Sequence, residues 1–67
     1  MNNTISLDHQ SLSWLSPIQL HQEYGLKISL QAKLRMDRKI PYSKINGKTI
    51  RYSRTKIDRW LEDAEVQ

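Results

Sequence analysis

The sequence predicts a small α+β domain, ordered helix, short turn, second helical segment, β-hairpin and final helix. Three observations predict it. Ser16-Pro17-Ile18-Gln19 carries the marks of a helix start, Asn46-Gly47 stands between two short runs of strand-forming residues, and Ile57, Trp60, Leu61 and Ala64 recur at i, i+3, i+4 and i+7. A chain of 67 residues has room for one domain with a small core. It has no cysteine, so neither a disulfide nor a thiolate-metal site is expected to support that core.

Residues 1–13 are mostly Asn, Ser, Thr and Gln with isolated Ile5, Leu7 and Leu12, and are expected to form a flexible arm. The domain proper is expected over residues 14–64, and residues 65–67 as a frayed tail. Ser16 is a good N-cap because its hydroxyl can accept an unpaired backbone N–H. Pro17 suits the first helical position, where no N–H is needed. Gln19 completes an S-x-x-Q capping box, and Leu15 and Leu20 stand where a hydrophobic staple joins them. The helix should run from Pro17 to about Tyr24 and stop at Gly25, a left-handed C-cap.

Residues 27–36 pull two ways. Ile28, Leu30, Ala32, Leu34 and Met36 alternate without exception with Lys27, Ser29, Gln31, Lys33 and Arg35, which by period alone is a strand with one wet face. Composition argues for helix, since only Ile28 is β-branched and the rest is dominated by strong helix formers. Ser29 could cap a helix from Leu30 to about Arg38, with Leu30 and Leu34 turned inward.

Ile40-Pro41 breaks whatever precedes it. A two-residue Asn46-Gly47 turn would pair Ile45 with Lys48, Lys44 with Thr49, Ser43 with Ile50 and Tyr42 with Arg51. Ile45, Ile50 and Tyr52 would then share one face, and Tyr42, Lys44, Thr49 and Arg51 the other. The last helix, capped by Ser53, should run from Arg54 to Asp63 or Ala64, with Tyr52 stapled to Ile57. Trp14 and Trp60 are assigned to the core.

Charge is unevenly spread. Residues 1–26 hold Asp8 and Glu23 and no Lys or Arg, a net −2; residues 27–59 hold all 11 basic residues against Asp37 and Asp58, a net +9; residues 60–67 hold Glu62, Asp63 and Glu65, a net −3. A segment of +9 repels itself unless an anion meets it, so nucleic acid is the first partner to consider.

The order of elements resembles the small winged helix-turn-helix proteins of the excisionase type, related to the DNA-binding end of MerR-like regulators. The likeness is carried by residues 15–61: the Leu15-Ser16-Pro17 helix start, the basic Lys39-Ile40-Pro41 junction, the hairpin leading into Ile50-Arg51-Tyr52, and the ending Ile57…Trp60-Leu61. The resemblance implies a winged helix-turn-helix fold in which Leu30–Arg38 is a recognition helix for the major groove. The Asn46-Gly47 hairpin would be a wing on the backbone or in the minor groove. His21 and Gln31 depart from the family pattern, in places often filled by a small apolar residue and by Val or Ile. The second departure implies either a rotated helix or a Gln31 that faces DNA.

On such a helix Gln31, Lys33 and Arg35 are the candidates for base edges, with Gln31 and Arg35 favoured because i and i+4 share a face. Ser29 would offer backbone N–H groups to a phosphate. On the wing, Lys44, Lys48 and Arg51 are candidates for phosphates, Asn46 and Thr49 for the minor groove, and Tyr42 for an aromatic contact. Lys27, Arg38, Lys39 and Arg54 could extend the phosphate path. The expected partner is double-stranded DNA, with an integrase or recombinase, or further copies of the chain, beside it.

No third ligand accompanies His9 and His21, and no nucleophile–base pair or glycine-rich phosphate loop is present, so neither a metal, a cofactor, a small-molecule ligand nor enzymatic activity is expected. No apolar run approaches the roughly 20 residues of a membrane span, and the N-terminus lacks the basic start and apolar stretch of a secretory leader, which points to the cytoplasm and the nucleoid. The rival class is a protein-interaction module that binds an acidic partner.

Overall fold

Ser16 opens the first helix, α1 (Pro17–Tyr24), through a reciprocal pair of bonds. Its N–H donates to Gln19 Oε1 (2.8 Å) and its Oγ accepts from the Gln19 N–H (3.2 Å). A side-chain cap of this kind contributes about 1 kcal/mol. The helix ends as expected at Gly25, whose φ of 73° is left-handed and whose N–H donates to the His21 carbonyl. The structure, a computed structural model, describes residues 13–66. The expected N-terminal arm therefore lies, but for Ser13, outside the described residues.

Within them, three helices and a three-stranded antiparallel sheet follow one another: β1 (Trp14–Leu15), α1, α2 (Ile28–Met36), β2 (Ser43–Ile45), β3 (Thr49–Ser53) and α3 (Arg54–Asp63). The sheet order is β1-β3-β2. Strand β1 pairs Trp14 with Ser53 and Leu15 with Tyr52, a pairing too short to announce itself in a periodic pattern. Its alternation sends Leu15 inward and leaves Trp14 about half exposed, so the assignment of Trp14 to the core is corrected.

Residues 28–36 are helical, as their composition argues and their alternation does not. The helix starts two residues before the expected position. Lys27 occupies the N-cap without a side-chain bond, so Ser29 lies in the first turn and is not the cap. Its end is a Schellman closure: Arg38 N–H donates to the Arg35 carbonyl (3.0 Å) and Lys39 N–H to the Leu34 carbonyl (2.8 Å). Arg38 takes the left-handed position at φ 58°, a place glycine usually fills, and so stands outside the helix.

The rotation of α2 also differs. Gln31 is fully buried, while Leu30 is 43% exposed instead of facing inward. The Gln31 amide Nε2 donates to the Pro17 carbonyl (2.9 Å) and to the Leu26 carbonyl (2.7 Å). Two carbonyl acceptors require the amide nitrogen there, which fixes the side-chain orientation. Gln31 Oε1 is buried with no partner among the described residues.

Hairpin β2–β3 pairs Ser43 with Arg51, Lys44 with Ile50 and Ile45 with Thr49, one residue away from the expected register. Asn46 and Gly47 are both left-handed, φ 54° and 73°, and the Lys48 N–H closes the turn on the Ile45 carbonyl (3.1 Å). Lys48 then stays outside the ladder. That extra residue turns β2 over relative to β3, so Lys44 shares the face of Ile50 and Tyr52, and Ile45 is turned out, 51% exposed.

The core takes one fully or nearly buried side chain from each surrounding piece: Leu15, Leu20, Ile40, Tyr52 and Ile57. Leu34 of α2 and Trp60 of α3 pack against it partly buried. Leu15 and Leu20, and Tyr52 and Ile57, are the expected staple pairs, and all four are buried. The Ser53 Oγ accepts the Lys56 N–H at the start of α3, as its sequence indicates. Trp60 Nε1 donates to the Lys39 carbonyl (2.7 Å), tying α3 to the segment that follows α2.

Replacing Gln31 by Leu keeps a similar volume but leaves two inward carbonyls short of a donor. Gln31→Leu should lower the unfolding free energy by about 2 kcal/mol, because an unsatisfied buried acceptor costs about 1–3 kcal/mol. Urea unfolding followed by circular dichroism measures this, and a midpoint equal to the parent's would refute it.

Candidate nucleic-acid interface

The burial of Gln31 dictates which side of α2 faces water. With 100° per residue, the positions opposite Gln31 are Ser29, Lys33 and Met36, and all three are exposed, Met36 at 81%; Ala32, 100° from Gln31 on the Arg35 side, is exposed as well. Gln31 itself cannot reach a base. Its amide is committed to two carbonyls in the interior, which corrects its expected place among the readout residues. Ala32 and Met36 carry neither a charge nor an amide, so their sequence does not mark them as site residues. Small and apolar side chains do contact thymine methyls, so both belong among the candidates once the burial of Gln31 sets the phase of the helix.

Arg35 lies between the buried and exposed sides, half-buried. Its Nη1 donates to the Tyr52 hydroxyl, and its Cζ stands 5.9 Å from the Tyr42 ring centroid. Between α2 and the hairpin runs an open groove of about 430 Å³. Ala32, Arg35 and Met36 line it from the helix, and Tyr42, Lys44, Lys48 and Ile50 from the other side.

The remaining expected residues divide by location. Ser29, Lys33, Tyr42, Lys44, Asn46, Lys48 and Thr49 are exposed, as are Lys27, Arg38 and Lys39. Arg51 is half-buried and its Nη1 donates to the Ile50 carbonyl (2.7 Å). Arg54 belongs to another cluster. Its Nη2 pairs with Glu23 Oε1 at 2.8 Å, its Nη1 reaches the Tyr24 hydroxyl at 3.4 Å, and its Cζ sits 6.0 Å from the Tyr24 ring. Arg54 thus braces α3 against α1.

Charge follows the same division. Between residues 27 and 53 the one acid is Asp37. Lys33, Arg35, Lys44 and Lys48 make no ion pair with another described residue. On the α1–α3 side, Tyr24 donates to Asp58 Oδ1 (2.6 Å), and burial followed by this carboxylate raises the Tyr24 phenol above its ordinary value. The Glu23 hydrogen bond likewise raises Arg54. Burial raises the Tyr52 phenol, and the Arg35 guanidinium opposes the rise. Among the described residues no group of three or more His, Cys, Asp or Glu could hold a metal, and no helix is long and apolar enough to cross a membrane.

Comparison of the chain with protein-family models, curated proteins and solved structures returns no match.

The Tyr52 shift has a pH consequence. A phenol whose folded value exceeds the unfolded value of about 10 adds stability below that pH and loses it as pH rises through the folded value. Stability should therefore fall as pH rises above about 10, and Tyr52→Phe should flatten part of that fall. Unfolding midpoints measured across this range test it; equal slopes for parent and variant would count against the assignment.

Proposed function

We propose that this chain is a winged helix-turn-helix domain that binds duplex DNA, with α1 and α2 as the helix-turn-helix and the β2–β3 hairpin as the wing. The observation that carries the reading is the groove between α2 and the hairpin, lined by Arg35, Lys44 and Lys48, with Lys33 exposed on the same helix. The order of elements and the resemblance to excisionase-type proteins support it from the sequence side.

The dimensions agree with the role. A helix with its side chains is about 10–12 Å across, the major groove is about 12 Å wide, and the nine residues of α2 give it a length of about 13.5 Å to lie in it. Inserted with Gln31 toward the protein, α2 offers Ser29, Ala32, Lys33 and Met36 to the base edges. Lys33 suits guanine acceptors; Ala32 and Met36 suit thymine methyls. The hairpin lays Lys48, Asn46 and Thr49 at the neighbouring backbone or minor groove, and Lys27, Arg38 and Lys39 extend the phosphate contacts at the ends of α2.

In the cell the domain would assist an integrase during excision of a mobile element or regulate a promoter, with the resemblance favouring the first. Further copies bound side by side, or the recombinase, would be its protein partners.

Binding should be dominated by counterion release. Contacts to about 5–7 phosphates give a slope of log K against log salt of about −5 to −6. Fluorescence anisotropy with a random-sequence duplex between about 50 and 300 mM salt measures it. A flat response refutes the reading, and no binding at the lowest salt favours an acidic protein partner. Lys48→Ala should weaken all sequences alike and lessen the slope by about 1.

A further inference from the structure

We propose that Tyr52 and Tyr42 form a frame that aims the Arg35 guanidinium into the groove between α2 and the hairpin, where it holds a DNA phosphate together with Lys44 and Lys48 and reads no base. The inference rests on the DNA-binding reading above and changes the role of one residue within it.

The rotation of α2 is the first ground. Arg35 lies four residues from Gln31, and so about 40° from the buried centre of the helix. The outward stripe is Ser29, Lys33 and Met36, and Arg35 is not on it. Its side chain instead leaves the helix toward the sheet. There the Tyr52 hydroxyl accepts one of its N–H groups, and the Tyr42 ring lies 5.9 Å from its Cζ.

Both partners are well placed to hold it. Tyr52 is fully buried in the core, so its hydroxyl is a fixed point. Tyr42 lies just before β2 and lines the same groove. A guanidinium has five N–H donors, and Tyr52 takes one. The others keep the paired geometry that suits two oxygens of one phosphate. Lys44 and Lys48 line the groove from the hairpin, so three cations converge on one opening.

Topography supplies the ligand. A helix in the major groove and a hairpin at the adjacent minor groove have a sugar-phosphate strand between them. The opening between α2 and the hairpin lies along that strand. A phosphodiester in it would meet Arg35, Lys44 and Lys48, with Ala32 and Met36 on the helix wall, while Ser29 and Lys33, outside the groove lining, face the base edges. An arginine already held by two tyrosines loses less rotamer freedom on contact than one on an open helix face.

The experiment compares the wild-type chain with Arg35→Met, Tyr52→Phe and Lys33→Ala by anisotropy across a salt series. The probes are a random-sequence duplex and a duplex enriched from the same pool by binding to the wild-type chain. Arg35→Met should weaken both by about tenfold and lessen the salt slope by about 1, with the preference between them kept. Tyr52→Phe removes one oxygen from the frame and should weaken both duplexes by about threefold with a smaller loss of slope. Lys33→Ala should narrow the preference. A purely structural role for Tyr52 would lower the unfolding midpoint and leave the slope intact, which overturns the inference. So does an Arg35→Met protein that keeps its random-duplex affinity and loses its preference. If the wild-type chain fails to bind the random duplex at low salt, the DNA-binding reading falls and takes this inference with it; if it binds and Arg35→Met matches it, only the inference falls.

Discussion

A buried amide decides what this molecule presents. Helix α2 sends no fully buried apolar side chain into the core; its one fully buried residue is Gln31. The bonds from Gln31 Nε2 to the carbonyls of Pro17 and Leu26 tie α2 to the start of α1 and to the turn between them. Such bonds are directional in a way that apolar contact is not. They select one rotation of α2, and a change of 100° would exchange the exposed stripe for another. The outward positions of Lys33 and Met36 follow from that choice.

The rest of the fold is arranged to support this helix from behind. The core is a ring of single contributions, and Tyr52 is the member that joins them to the basic surface. Its ring packs in the core and its hydroxyl meets Arg35. Helix α3 buttresses the opposite side through Trp60 to the Lys39 carbonyl and Asp58 to Tyr24. The Glu23–Arg54 pair is partly exposed and adds little stability, since such pairs contribute about 0–1 kcal/mol. Its effect is on charge: it occupies Glu23 and Arg54 with each other, away from α2 and the hairpin.

Much of this was legible in the sequence where local chemistry decides. The Ser16 capping box, Gly25, the Asn46-Gly47 turn, the Ser53 cap and the stripe of the last helix each depend on residues within a few positions of one another. The misread features depend on distant partners. Gln31 looks solvent-facing because its two acceptors lie 5 and 14 residues away. The strict alternation of residues 27–36 gives no phase for a helix, so apolarity alone points Leu30 inward and Gln31 outward, the reverse of their observed burial. Strand β1 has two residues and exists through pairing with β3. The hairpin register turned on whether Lys48 joined the ladder, a difference of one residue that the turn sequence leaves open.

These two departures, the rotation of α2 and the shifted register, belong together. Rotation brings Arg35 toward the sheet and away from the outward stripe. The register turns Lys44 to the side that faces α2 and turns Ile45 away from it. Either change alone would leave the opening between helix and hairpin half built: Arg35 opposite an isoleucine, or Lys44 opposite a helix side without its arginine. Made together, they give a groove with cations on both walls and Tyr42 among its lining residues. A tightly packed core would have no use for either arrangement, because lysine and arginine heads require water or an anion. The opening is therefore shaped by its charge as much as by its packing, and the proposed polyanion, tracking from helix to hairpin, would answer both.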